Sequence, residues 1–302
     1  MEPVKKRIME QKKEKDVVIL AHYYTDSKVQ AIADYVGDSY YLSKIATKVP
    51  QNNILFCGVS FMGESAKILN PNKTVIMPDM YADCPMAHMA DVDKIKEVRE
   101  KYEDVAVVCY INSTAEIKSY SDVCVTSSNA VKIVKSLQNH TIYFIPDGNL
   151  GRYVADKIPE KHFILNDGFC HVHTSIKKDA VEKAKELYPK ALVLAHPECT
   201  LDVLELADYV GSTSGIIDYA TESDAQVFLI CTEMGVLYEL ELKNPSKKFY
   251  SVGHRQFCPN MKRITLDGVL EQLETMRNTV ELEDGTYANA RIALDQMLDL
   301  AE

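Results

Sequence analysis

Short apolar runs alternate along this chain with longer stretches in which apolar residues recur every three or four positions. DVVILAHYY, DVAVVCYIN and KALVLAHPE are apolar runs that end in polar side chains, each the length of a buried strand. ILFCGVSFMGESAK, IYFIPDGNLGRYVAD and VFLICTEMGVLYEL read as strand then helix, with Gly63, Gly151 and Gly235 set at equivalent places. KTVIMPD, KHFILND and KKFYSVG supply a third strand, and DYVG, DVCV and DYVG a short fourth. VDKIKEVREKY, KDAVEKAKELY and LDGVLEQLETM carry the period of amphipathic helices. Strands alternating with helices predict an α/β protein whose parallel sheets are covered on both faces.

These elements are three copies of one unit. AHYYTDSKVQAIADYVGDS, from Ala21, aligns with AHPECTLDVLELADYVGSTSG, from Ala195, pairing His22 with His196 and Asp34 with Asp208. A middle copy places Tyr110 and Asp122 at the same positions, with offsets of 88 and then 86 residues. The expected architecture is three homologous three-layer α/β/α units around a pseudo-threefold axis. Their limits are 16–102 (after an N-terminal helix over 1–15), 103–189, and 190–302 including the C-terminal helices.

The chain has 302 residues, 46% of them hydrophobic, enough for several domain-sized cores. No apolar run reaches the ~18 residues of a membrane span. The segment MEPVKKRIMEQKKEKD lacks the apolar middle of a signal peptide, so a cytoplasmic protein is expected. A net charge of −10 disfavours nucleic acid as a partner and requires that any anion site be made positive locally. Eight cysteines in a reducing compartment are not a disulfide framework.

In a parallel sheet, ligands bind beyond the carboxyl ends of the strands. Each first strand ends in two polar residues spaced by two, and so on one face: His22 and Tyr24, Tyr110 and Asn112, His196 and Glu198. Each short strand is followed by a hydroxyl before a helix: Ser39, Ser127 and Thr213. Such a hydroxyl is either an ordinary N-cap or part of an anion site at the helix start, and the two are compatible. Cys84, Cys170 and Cys258 each follow the third strand, with offsets of 86 and 88, and no other cysteine recurs in all three copies. Three converging thiolates suit a soft metal. Structural zinc usually takes four ligands, often with a C-x-x-C spacing absent here, whereas an iron–sulfur cluster accepts three cysteines and leaves one iron open. Three other readings remain: a binder without catalysis, a zinc hydrolase and an electron carrier.

Together AHYYTD, GDS, FMGESAKILNP, CPMA, TSSNAV, PDGNLGRYVA, GFCHVH, HPEC, DYVGSTS and the C-x-N-M-K segment resemble the quinolinate synthase family, in order and over nearly the whole chain. The resemblance implies three α/β/α domains around a pseudo-threefold axis and a 4Fe–4S cluster ligated by Cys84, Cys170 and Cys258. It implies a transferase that condenses iminoaspartate with dihydroxyacetone phosphate to quinolinate, phosphate and water in NAD biosynthesis. An aspartate oxidase or dehydrogenase would supply the iminoaspartate.

By the same resemblance the substrate site comprises His22, Ser39, Tyr110, Ile111, Asn112, Ser127, His173, His196, Pro197, Glu198 and Thr213. Catalytic roles fall to Glu198, Tyr24, His196 and Tyr110. Glu198 is the expected general acid/base, its pKa raised toward neutrality in an enclosed site. His140, His162 and His254 read as surface residues, while His88 and His171 flank the cysteine loops. Gly148 departs from the family pattern, which has a basic residue there.

Overall fold

The repeated asparates of the A-D-Y-V motifs explain how each unit begins. The first strands are β1 (Val17–His22), β5 (Val105–Tyr110) and β9 (Leu192–Ala195), and the short strands beside them are β2 (Tyr35–Gly37), β6 (Val123–Val125) and β10 (Tyr209–Val210). Asp34, Asp122 and Asp208 accept the backbone N–H of Ile19, Val107 and Val193 at 2.8, 2.7 and 2.8 Å. Their own N–H groups donate to the carbonyls of the same three residues. Each aspartate thus fixes the short strand in register against the first, which is why the motif is written three times.

The structure is a computed structural model that describes residues 2–253, 255–282 and 284–302, so His254 lies outside the described residues. The remaining strands are β3 (Asn53–Cys57), β4 (Thr74–Ile76), β7 (Thr141–Ile145), β8 (His162–Leu165), β11 (Val227–Cys231) and β12 (Lys248–Ser251). Among the described residues they form three four-stranded sheets, ordered β2-β1-β3-β4, β6-β5-β7-β8 and β10-β9-β11-β12, with every pairing within them parallel. All residues of β1, β5 and β7 are buried, as strands covered on both faces must be. The three α/β/α units expected from the pattern are therefore the observed fold.

The amphipathic helix that closes each unit packs on the sheet of the next. Val92–Lys101 lies on β5, Lys178–Leu187 on β11 and Leu266–Thr275 on β3, which returns the third unit to the first. The helix Glu2–Glu14 packs along Leu266–Thr275, and Arg7 Nε meets Glu274 Oε1 at 2.6 Å. The last helix, Asp284–Ala301, contributes Ala290, Ala293, Leu294 and Met297 to an apolar core shared with the first two units.

One equivalence fails. Gly63 and Gly151 lie six residues beyond the ends of β3 and β7, inside helices, whereas Gly235 lies four beyond β11 and caps the helix Val236–Lys243. Gly235 answers a different need: a Cβ there would come within 2.6 Å of the Tyr23 carbonyl oxygen and 2.8 Å of Tyr24 Cα. The third unit thus approaches the first through a bare backbone.

Candidate active site

The carboxyl ends of all three sheets open on one cavity. It is lined by His22, Tyr24, Ser39, Tyr110, Asn112, Ser127, His173, His196, Glu198 and Thr213, together with Cys84, Cys170 and Cys258. Ile111 and Pro197 are buried between lining residues but do not line the cavity themselves. Phe61, Met62, Met86 and Met261 supply apolar wall.

The hydroxyls before the helices are not caps. Asp38 and Ser212 cap the helices Ser39–Lys48 and Thr213–Glu222, accepting from Tyr41 N and Gly215 N, so Ser39 and Thr213 are the first helical residues. The cap of Ala130–Ser136 is Asn129. The hydroxyls of Ser39 and Thr213 are thereby left for other partners beside unpaired helical N–H groups, which supply the positive potential an acidic chain needs for an anion. Ser127 instead lies three residues before its helix, where the N–H groups of Asn129 and Ala130 bond to the Thr126 carbonyl.

A hydrogen-bonded array runs between units. Tyr24 Oη lies 2.8 Å from both Thr213 Oγ1 and Thr232 Oγ1. Thr232 Oγ1 is 2.9 Å from His173 Nε2, and His173 Nδ1 is 2.6 Å from Glu198 Oε2. His196 Nε2 reaches Ser127 Oγ at 3.1 Å. Glu198 Oε1 and Asn112 Oδ1 are buried without a hydrogen-bond partner, so two acceptors stand ready for donors on a bound molecule. Thr232 and Glu233, both fully buried, were not legible from the pattern. At these two positions the other copies carry Gly58 and Val59, and Pro146 and Asp147, so no polar triple marks them.

Burial pushes His22 and His196 down to about 3, against a raising influence from Glu198. Both rings are therefore neutral, and their tautomers are set alike: Tyr24 N donates to His22 Nδ1 at 3.1 Å and Glu198 N to His196 Nδ1 at 3.3 Å. The approach of His196 Nδ1 to Glu198 Oε2, 3.6 Å, is accordingly not an ion pair. Burial raises Tyr24 and Tyr110 well above the usual phenol value, with the Glu198 charge adding to it.

Glu198 departs from the sequence expectation. Burial alone would raise it, but His173, and hydrogen bonds from His173 and Tyr110, outweigh burial and hold it at about 2. It is an ionised carboxylate rather than a group poised near neutrality, because a histidine from a different unit sits against it.

The cysteine loops are clamped identically. Ser60, Gly148 and Met234, each the third residue after β3, β7 or β11, donate their N–H to the carbonyl two residues before a cysteine. The acceptors are Ala82 at 2.8 Å, Gly168 at 2.8 Å and Gln256 at 2.7 Å. Side chains reinforce the clamp: Ser60 Oγ donates to Asp83, and Glu233 Oε1 accepts Cys258 N at 3.0 Å. Lys262 Nζ joins Glu233 Oε1 at 3.0 Å and the Tyr24 carbonyl at 2.8 Å, so the Cys258 loop is tied to the first unit. At Gly148 a Cβ would lie 2.5 Å from the Asn166 carbonyl oxygen, so a basic residue fits there only if that backbone shifts.

Burial pushes Cys84 up to about 12 and raises Cys170 and Cys258. Without a cation these thiols stay protonated; a metal supplies the charge that ionises them. Three half-buried thiols on one cavity, one from each unit, fit the donor set of a cluster with an open iron. Cys170, His173 and Glu198 form a further group able to hold a metal, with donor atoms all within 4.8 Å of one another.

The remaining histidines separate cleanly. His140 and His162 are exposed, and His88 is exposed with Nε2 2.7 Å from Asp83 Oδ2. His171 lines the cavity. Arg263 pairs with Asp79 at 2.9 Å.

Three linked α/β units, with a buried array of tyrosine, threonine, histidine and glutamate beside three thiols, define a metal-competent enzyme centre. The model of the family described as "Quinolinate synthetase A protein" matches residues 6–299. Curated proteins called quinolinate synthase are similar along their length. The one from Fusobacterium nucleatum subsp. nucleatum is 53% identical over 298 residues, 99% of each chain. Those from Caldicellulosiruptor saccharolyticus and Clostridioides difficile are 50% identical over 301 residues (100% of this chain, 99% of the relative) and 48% over 296 (98% and 97%). The chain belongs to the quinolinate synthase family and is an enzyme of that kind.

Proposed function

We propose that this enzyme condenses iminoaspartate with dihydroxyacetone phosphate to give quinolinate, phosphate and water, a step of NAD biosynthesis, with a 4Fe–4S cluster on Cys84, Cys170 and Cys258. The observation that carries the reading is the identical backbone clamp on three cysteine loops that line the same cavity as the polar strand ends. When bound, such a cluster supplies a Lewis-acidic iron with one open position.

The chain's own residues would do the rest. Both substrates are anions, and Ser39 and Thr213 hold their oxygens at the helix starts, with the Ser127 hydroxyl, beside His196 Nε2, as a third contact. His22 and His196, neutral, donate from Nε2 to carboxylate. Glu198 Oε1 and Asn112 Oδ1 accept from nitrogen or hydroxyl groups of the condensing molecule. Glu198, ionised, takes a proton from carbon or nitrogen, and the Tyr24–Thr232–His173 chain carries protons between Tyr24 and the Glu198 carboxylate. Phe61, Met62, Met86 and Met261 exclude water that would hydrolyse an imine. We place the sequence repeats at 16–102, 103–189 and 190–302 and the enzyme in the reducing cytoplasm, the setting its eight free thiols support. An aspartate oxidase or dehydrogenase is the reaction class that supplies iminoaspartate.

Anaerobic preparation followed by iron and sulfide determination, coupled to a quinolinate assay, tests the proposal. Iron and sulfide near four each per chain with quinolinate formed is the expected result. Zinc without sulfide, or a loaded cluster without quinolinate, overturns it.

A further inference from the structure

We propose that the cluster-free chain holds a mononuclear site for a zinc-type divalent ion, made by Cys170 Sγ, His173 Nδ1 and Glu198 Oε2, whose occupation excludes the cluster. It stands apart from the proposed function, because it concerns the protein before any cluster is present and needs only one of the three cluster cysteines.

The donor set is sulfur, nitrogen and oxygen, the mixture that borderline-soft zinc accepts in sites with three protein ligands and an open position. His173 Nδ1 is 3.2 Å from Cys170 Sγ and 2.6 Å from Glu198 Oε2, and all three donor atoms fall within 4.8 Å. Ligand atoms of a tetrahedral zinc lie about 3–4 Å apart, so His173 Nδ1 and Glu198 Oε2, now 2.6 Å apart, must separate by roughly half an ångström or more to admit the ion. Two further features are those of a metal site. His173 and Glu198 are 1% and 3% exposed, which holds their positions before a cation arrives. The other ring nitrogen, His173 Nε2, bonds to Thr232 Oγ1 at 2.9 Å and so directs Nδ1 toward the ion, as the outer partners of metal-binding histidines do. Glu198 Oε1, buried and unpartnered, is available as a second oxygen. On binding, Cys170 loses its thiol proton and His173 Nδ1 loses the proton it shares with Glu198, both leaving to solvent, so that sulfur and nitrogen each give a bond to the metal while Nε2–H donates to Thr232 Oγ1. That sulfur is then engaged, so an iron–sulfur cluster cannot form on the three loops until the ion leaves.

Cobalt(II) is the probe, since a cobalt–thiolate bond adds a near-ultraviolet charge-transfer band. Titration of the anaerobic, cluster-free full chain should saturate at one ion per chain, with the band retained in Cys84→Ser and Cys258→Ser. His173→Gln should lose the band, and Thr232→Val should weaken binding by about 10–100-fold. A measurement on the unaltered chain guards against misfolded variants: alkylation mapped by mass spectrometry in the presence of zinc. Cys170 should be protected at least about tenfold over Cys84 and Cys258, and prior zinc should block uptake of iron and sulfide. A band that disappears in Cys84→Ser or Cys258→Ser, or equal protection of all three cysteines, would place the ion on the three loops and overturn the proposal. So would a band that survives His173→Gln. Iron and quinolinate measured without zinc judge the proposed function separately.

Discussion

The cysteines divide into two regions of the molecule. Cys57, Cys109, Cys124, Cys199 and Cys231 are fully buried in or beside the sheets, and Cys109 faces Cys124 in the register of β5 with β6. Cys84, Cys170 and Cys258 sit on the loops at the carboxyl ends, half-buried, facing the cavity. Acidity does not tell the groups apart: burial pushes both Cys84 and Cys231 up to about 12. Placement does. The sheet thiols fill space as small hydrophobes, whereas the loop thiols are presented by a backbone clamp that recurs three times.

Substitution separates the two groups most sharply. Cys84→Ala, Cys170→Ala and Cys258→Ala should each lose iron binding and quinolinate formation, while Cys57→Ala and Cys231→Ala retain both at a cost of about 1 kcal/mol in stability. Metal analysis beside chemical denaturation decides this, and iron lost equally from both groups would erase the distinction. Next in size, Glu198→Gln should keep its iron and lower turnover by about 10²–10⁴-fold, since it removes the cavity's ionised base and leaves the clamps intact. Steady-state rates at full iron occupancy make the check.

The smallest effect concerns acid. His22 and His196, held at about 3 against an ordinary 6.5, stay neutral in the fold while the unfolded chain takes up protons, so stability falls with decreasing pH between those values. Glu198, held at about 2 against 4.5, adds stability that is present above 4.5 and lost as pH falls through 2. The melting temperature of the cluster-free chain should therefore drop from pH 7 to pH 4, and less so in His22→Gln. A flat profile would show that these histidines do not stay neutral in the fold.

What the sequence made legible follows from repetition. The strands, the aspartate locks and the three loop cysteines recur in register, and repetition singles them out from five other cysteines. Thr232 and Glu233 escape the pattern because no polar triple marks their positions, which hold Gly58 and Val59 in the first copy and Pro146 and Asp147 in the second. Gly235 falls out of alignment because the third unit starts its helix two residues later than the others. The ionisation of Glu198 was beyond a linear reading, since His173, on the second unit's cysteine loop, reaches it only after folding. Local pattern located the groups; their charge depends on neighbours brought from other thirds of the chain.

Because each unit lends its closing helix to the following sheet, and Leu266–Thr275 brings the loan back to β3, no third of this enzyme is a self-sufficient body. Loosening any one of these helices uncovers a neighbour's sheet, and the disturbance passes around a ring rather than ending at a border. Rigidity at the centre is thus a property of the whole circuit, which keeps three separately built loops aimed at one point.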